Sequence, residues 1–442
     1  MIFSSIEFVI FFILFICLIK IFKNNQKEII IVLSLFFYAY WNPIFIFLIL
    51  YLCSATYCLI KKRINLKLSI FIILLPLFYF KYSFFIFSFI PLKILNNFSY
   101  IGELPLAISF ITFTAVAILI DIKNKTFNET LTFVNFSEFI LYFPQLIAGP
   151  ILRAKELIPQ LKNKIFFKKE NIKFGIFLFS IGFVKKIFFA DNIALLIDPI
   201  FENPELFGSK DLIKGFLLFP LQIYFDFSGY VDMALGISAF IGIKLPINFD
   251  KPYLTYSLTD FWRSWHITLS NWFRDYLYIP LGGSRVSKLR LYFNLIFTMT
   301  VAGLWHGASF NFILWGFFNG LFLSLEKIFN INNNRNILKI ILNCFIIFNL
   351  WLIFRITDVK NLINYFYKIY SNLSEIFITE NLLIFVVTCF AIYCQKFENL
   401  NLIKKFSVKL NFFILMPFFI ILLITGFAIS TGQSDKFIYF DF

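Results

Sequence analysis

Histidine is nearly missing from this chain: 442 residues contain two, His266 and His306. That leaves no basis for a histidine-rich metal cluster. Charge is scarce as well, at 15% of residues, where a soluble globular chain carries about 25%. Cysteine is sparse and unpatterned. Cys17, Cys53, Cys58, Cys344, Cys389 and Cys394 all sit in apolar stretches without CxxC spacing. They read as small buried hydrophobes rather than a disulfide frame or metal site. No Gly-x-Ser-x-Gly elbow and no Walker loop is present, so hydrolase and ATPase readings lack their motifs. A secretory leader is also missing its marks. Lys20, the first positive charge, follows the first apolar run, Glu7 precedes that run, and no small-residue cleavage pattern ends it. The run is expected to stay as a transmembrane helix with its N-terminus outside.

What the chain has in excess is apolar surface: 60% hydrophobic residues, 68 of the 442 being Phe. A water-facing fold cannot bury that much, so lipid must solvate much of it. The formal charge is +15, from 40 Lys+Arg against 25 Asp+Glu. These cations cluster in short segments between apolar runs, the positive-inside pattern. Topology and anionic membrane lipids account for them, and nucleic acid is not indicated as a partner.

A spanning helix needs about 20 apolar residues. The candidate segments are 6–22, 29–41, 44–60, 68–90, 104–122, 174–198, 213–242, 291–308, 309–328, 336–357, 379–395 and 408–430. They predict an all-α integral membrane protein with eleven or twelve transmembrane helices, as a single domain over 1–442 without internal repeats. Lys20, Lys23 and Lys27 place the first loop in the cytoplasm, and Lys61, Lys62, Arg63 and Lys67 the third. The stretch 137–150 is short, carries Pro144, Gly149 and Pro150, and precedes the basic segment Arg153 to Lys173. A full span there would put that segment outside, so a re-entrant or interfacial segment beside a cavity open to the cytoplasm is expected. Loops 250–290, 327–337 and 395–409 then fall inside and the C-terminus outside, with 291–328 a helical hairpin turning near His306.

The chemistry-bearing residues concentrate in 226–316. Residues 257–279 read as one amphipathic interfacial helix, opened by Ser257-Leu-Thr-Asp260 and stopped by Pro280 and Gly282-Gly283. Trp262, His266, Leu269, Phe273 and Leu277 would share one face, with Arg263, Ile267, Ser270 and Arg274 on the neighbouring stripe. His266 there reads either as a structural histidine or as a functional one. The arginines suit lipid phosphates or the phosphates of a nucleotide-bearing acyl donor. His306 lies in Thr300-Val-Ala-Gly-Leu-Trp-His-Gly-Ala-Ser309, in mid-stretch, where an ionisable group is costly and faces a cavity or the protein interior. A neutral imidazole can take a proton from an attacking hydroxyl and return it to a thiolate; a packed, hydrogen-bonded histidine is the alternative. Asp226 and Asp232 could orient a histidine, pair with Lys185 or Lys186, or cap broken helix ends, and pairing is the favoured role.

Seven stretches in order resemble the membrane-bound O-acyltransferases, in particular the bacterial polysaccharide branch. They are Pro105-Leu-Ala-Ile-Ser-Phe-Ile-Thr-Phe113, Pro144-Gln-Leu-Ile-Ala-Gly-Pro150, Phe225-Asp-Phe-Ser-Gly-Tyr-Val-Asp-Met-Ala234, Asn248-Phe-Asp-Lys-Pro-Tyr253, Asp260-Phe-Trp-Arg-Ser-Trp-His266, Tyr278-Ile-Pro-Leu-Gly-Gly283 and Gly303-Leu-Trp-His-Gly-Ala308. The resemblance implies helices around a central tunnel, with His306 catalytic and His266 on the cytoplasmic side near the donor. Trp262, Arg263, Arg274, Trp305, Asp226 and Asp232 are the candidates for holding donor or substrate. The tail Phe437-Ile-Tyr-Phe-Asp-Phe442 is similar to that of the polysaccharide acetyltransferases, in which a tyrosine is proposed as an acyl relay; Tyr439 is the match. Asp441 stands where the family more often has Gln. An aromatic interfacial anchor is the plainer reading of the same tail.

The expectation is export of acetyl groups from acetyl-CoA, a substrate, with no bound cofactor and no metal. A tail at 433–442 would be the extracytoplasmic relay. A periplasmic esterase-like transferase would complete O-acetylation of a glycan: peptidoglycan first, then alginate or another exopolysaccharide, then D-alanylation of teichoic acid. A transporter or flippase is the rival of a different class. It would use Lys185, Asp226 and Asp232 as a proton path and predicts matched half-repeats.

Overall fold

The computed structural model describes residues 1–87, 104–147, 149–329 and 336–430. Regular structure among them is helical, with no strand and one isolated antiparallel bridge, Phe249 to Trp265. Each expected apolar segment carries helix. The first group is α1 Ile6–Ile21, α2 Gln26–Ala39, α3 Ile46–Lys61, α4 Leu66–Leu77, α5 Ser83–Phe87, α6 Ile108–Lys123 and α7 Phe133–Leu141. Next come α8 Phe143–Leu146, α9 Ala154–Leu161, α10 Lys169–Phe183, α11 Asp191–Glu202, α12 Ser209–Phe240, α13 Leu258–Ser264 and α14 Ile267–Phe273. The chain continues through α15 Lys288–His306, α16 Phe310–Ile328, α17 Ile337–Arg355, α18 Val359–Ser371, α19 Thr379–Cys394, α20 Leu400–Lys409 and α21 Phe412–Ile429.

Four of the described helices are long and apolar enough by themselves to cross a membrane: Pro43–Lys61, Ile337–Arg355, Thr379–Phe397 and Phe412–Ile429. Much of their apolar surface faces outward, Phe413 at 84% exposure for one. Such a surface is stable only against lipid.

By their contacts the described residues form two compact units interleaved in sequence, one within 1–182 with 230–246 and 406–429, the other within 183–229 with 247–405. In the first unit phenylalanine does the packing. The Phe8 ring meets Phe11, Phe37, Phe143 and Phe179 at centroid separations of 6.0–6.5 Å, distances at which aromatic pairs attract. The stretch expected to be re-entrant is indeed broken. α7 stops at Tyr142 (φ −58°, ψ 103°), and α8 lasts one turn with Pro144 in its first positions. Its backbone is buried and satisfied from within. Phe143 N–H donates to Ser34 Oγ (3.2 Å), Gln145 Nε2 donates to the Phe139 carbonyl (2.6 Å), and the Tyr142 and Ser238 hydroxyls lie 3.1 Å apart. Irregular backbone survives away from water only when paired in this way.

In the second unit, a π-helical turn over Val184–Ala190 carries Lys185 and Lys186. Buried ammonium groups need carboxylates, and both have them. Lys186 sits 2.7 Å from Asp226 and 2.8 Å from Asp191, and Lys185 2.7 Å from Glu398. The pairing expected for Asp226 is therefore present. α15 and α16 form the expected hairpin, turning at residues 307–309. Small residues let the two backbones touch: a Cβ at Gly303 would overlap the Phe312 carbonyl, and one at Gly316 would lie 2.7 Å from Thr300 Cα.

Candidate active site

The segment expected to run as one amphipathic helix over 257–279 does not. Its start is as expected, since Ser257 Oγ accepts from Asp260 N–H at 3.0 Å. A second cap comes from α16. The Glu326 carboxylate accepts from Leu258 N–H, from Thr259 N–H (3.0 Å) and from the Thr259 hydroxyl (2.7 Å). α13 then ends after seven residues. Trp265 is extended (φ −106°, ψ 130°) and bridges to Phe249, and His266 is left-handed (φ 43°, ψ 53°). A left-handed non-glycine residue is held there by its surroundings, at a cost on the order of 1–3 kcal/mol. The holder is Asn248. Its backbone carbonyl accepts from Ile267 N–H at 3.0 Å, and its side-chain oxygen accepts from Thr268 N–H at 3.0 Å and Thr268 Oγ at 2.9 Å.

The break changes which residues share a face. His266 turns inward, 1% exposed, against the edge of Phe227 at 4.7 Å between ring centres. Burial pushes its pKa well below the ordinary histidine range, so the ring is neutral at pH 7. Trp262 and Arg263 stay on α13, and the Trp262 indole N–H donates to Asn319 Oδ1 at 3.1 Å. Arg274 and Asp275 pair at 2.7 Å just past α14.

His306 is the last residue of α15 and is 5% exposed. Three rings meet it edge-on: Trp305 at 5.0 Å, Trp315 at 5.2 Å and Phe354 at 5.2 Å. One side opens on a cavity of about 360 Å³, lined also by Trp262, Arg263, Arg274, Trp315 and Lys327. A cavity of that size suits a small-molecule substrate. An imidazole on its wall together with three cations can move a proton beside an anionic ligand.

Of the expected site residues, His306, Trp262, Arg263 and Arg274 converge on this cavity. His266 does not line it. Trp305 neighbours both imidazoles, its ring 6.2 Å from that of His266 and 5.0 Å from that of His306. Asp226 is engaged with Lys186, and Asp232 lies on the part of α12 that belongs to the first unit. Tyr439 and the 433–442 tail lie outside the described residues. Asn248, Trp315, Asn319, Glu326 and Lys327 were not anticipated. A signal for three of them existed: Trp315, Asn319 and Glu326, spaced by four and seven, fall on one face of an apolar helix, where a polar group needs a reason.

The model of the membrane-bound O-acyltransferase family matches residues 33–366. A probable alginate O-acetylase AlgI of Pseudomonas aeruginosa is 41% identical over 262 residues, covering 58% of this chain and 50% of its own. A peptidoglycan O-acetyltransferase of Helicobacter pylori is 37% identical over 346 residues, 68% of this chain and 64% of its own. A teichoic acid D-alanyltransferase of Bacillus subtilis is 29% identical over 245 residues, 52% of this chain and 60% of its own. The chain thus spans about half to two thirds of the length of these relatives.

Proposed function

The chain belongs to the membrane-bound O-acyltransferase family, and from that premise we propose that it moves acetyl groups from cytoplasmic acetyl-CoA across the inner membrane for O-acetylation of an envelope glycan. The observation that carries this reading is one cavity shared by His306 and the cations Arg263, Arg274 and Lys327. The cations suit the phosphates of acetyl-CoA, and the imidazole suits the chemistry at its thioester. In the transfer step a hydroxyl oxygen attacks the thioester carbonyl while His306 takes the hydroxyl proton. The C–S bond then breaks, and the proton passes to the departing thiolate. His266, buried and neutral, does not line this cavity and reaches it only through its neighbour Trp305, which touches His306.

Tyr439 is the proposed acceptor, since an aryl ester remains activated for onward transfer. A periplasmic esterase-like partner would take the acetyl group from it to the glycan, with both termini on the outer side. Peptidoglycan is the first choice, because the relative bearing that name matches the larger share of this chain, 68% against 58% for the alginate relative. Alginate comes second on the higher identity, 41% against 37%. D-alanyl export comes third. The engagement of Lys186 with Asp226 favours a structural role for these charges over the proton path of a transporter.

Membranes containing the full chain, supplied with acetyl-labelled acetyl-CoA, are the test. The wild type should carry label, and His306→Ala and Tyr439→Phe should not. Label retained in Tyr439→Phe removes the relay. Label retained in both variants overturns the mechanism.

A further inference from the structure

The first unit contains a second cavity that the reaction above does not use. About 420 Å³ in volume, it is walled by the loop after α1 with the first turns of α2, by α7, by the end of α9 with the segment leading into α10, and by the residues just past α12. Five lysines line it, Lys23, Lys27, Lys162, Lys164 and Lys168, together with one exposed carboxylate, Glu28. Lys162 is neutralised by Glu129 at 2.5 Å, and Lys27 donates to Asn135 Oδ1 at 2.7 Å. Among the described residues no carboxylate pairs with Lys23, Lys164 or Lys168.

The walls are fixed by side chains reaching across the sequence. Gln26 Oε1 accepts from Ile165 N–H at 2.9 Å. Gln160 joins both backbone groups of Lys244, accepting from its N–H at 2.9 Å and donating to its carbonyl at 2.9 Å. On the inner wall lies Glu138, 1% exposed, whose Oε2 has no hydrogen-bond partner among the described residues. A buried carboxyl left unsatisfied is costly, and here it borders a cavity whose exposed rim carries more cations than carboxylates.

We propose that this cavity is an anion site that binds a phosphate group, with Lys23, Lys164 and Lys168 supplying the charge and Glu138 a hydrogen bond from within. Burial raises the Glu138 pKa well above the usual carboxylate range, so its carboxyl is protonated near neutral pH and donates to a phosphate oxygen. Lysines act on phosphate as point charges, and the cavity volume suffices for a phosphorylated small molecule. The phosphate can come from a soluble phosphate ester or from the headgroup of an anionic lipid, which basic pockets at a membrane edge also bind. Its residues are separate from those around His306, and its test reads binding rather than acyl transfer.

The full chain, purified and delipidated in detergent, is titrated calorimetrically with pyrophosphate. In parallel it is exposed to phosphatidylglycerol or phosphatidylcholine, and the retained lipid is read by native mass spectrometry. Both are repeated on Lys23→Ala/Lys164→Ala/Lys168→Ala, whose changes are all at exposed positions, with the melting temperature as a check on folding. Pyrophosphate binding weakened tenfold or more in the variant establishes a soluble phosphate ligand. Selective retention of phosphatidylglycerol, lost in the variant, establishes a lipid headgroup. Binding of neither probe, or equal binding by wild type and variant, overturns the site.

Discussion

Asn248 and His266 face each other across 3.3 Å, side-chain oxygen to ring Nδ1. The Asn248 atom is the oxygen, because Thr268 N–H, which can only donate, also points to it. Nδ1 must then carry the proton, and Nε2 is the basic nitrogen of His266. One asparagine thus sets both the backbone conformation and the tautomer of the buried histidine.

Replacing Asn248 separates these roles. Asn248→Ala strands the Thr268 and His266 donors, and about 1–3 kcal/mol of stability should be lost along with most acetyl transfer. Asn248→Asp keeps the acceptor and adds a negative charge, which raises the pKa of His266 from its burial-depressed value. If the neutral ring is the working form, the acidic limb of the pH–rate profile moves to higher pH. A limb in the wild-type position would show that His266 does not handle a proton.

Glu326 positions the helix that carries Trp262 and Arg263. Glu326→Ala removes the acceptor of Thr259 N–H and of the Thr259 hydroxyl. A cost of about 1–2 kcal/mol is expected, seen as a lower melting temperature. KM for acetyl-CoA should rise more than kcat falls, whereas unchanged KM would separate α13 from donor binding.

Asp226 is expected to matter for folding rather than chemistry. Asp226→Asn removes one of the two carboxylates paired with the Lys186 ammonium and should cost about 3–5 kcal/mol. Asp226→Leu combined with Lys186→Met and Asp191→Asn, which removes all three charges of the cluster, should recover much of that in detergent melting curves. A single variant that melts like wild type but transfers nothing would assign Asp226 a chemical role instead.

The α15–α16 hairpin tests how closely His306 must be held. Gly316→Ala places a methyl against Thr300 Cα, 2.7 Å away, and parts the helices. Overpacking of this kind costs about 1–3 kcal/mol, and kcat should fall through displaced His306 with acetyl-CoA affinity nearly kept. Equal kcat in variant and wild type would show that the hairpin tolerates separation.

Composition alone determined that this is a membrane protein, because no arrangement in water hides a chain that is 60% hydrophobic. Helix positions were legible too, since apolar run length and glycine or proline punctuation are local properties. His306 could be singled out because an ionisable group within an apolar stretch needs a reason. The path from Trp262 to Leu277 was not legible. Every residue from 257 to 279 accepts a helix, and the pattern continues through His266. What breaks it is Asn248, eighteen residues earlier, with the bridge from Phe249 to Trp265. Periodicity reports what a segment prefers when alone, whereas a turn held by contacts distant in sequence exists only once those partners have packed. The cavity beside His306 is of the same kind: α13, α14, α15 and α16 each supply part of its wall, and only their packing brings Arg263, Arg274 and Lys327 to one imidazole.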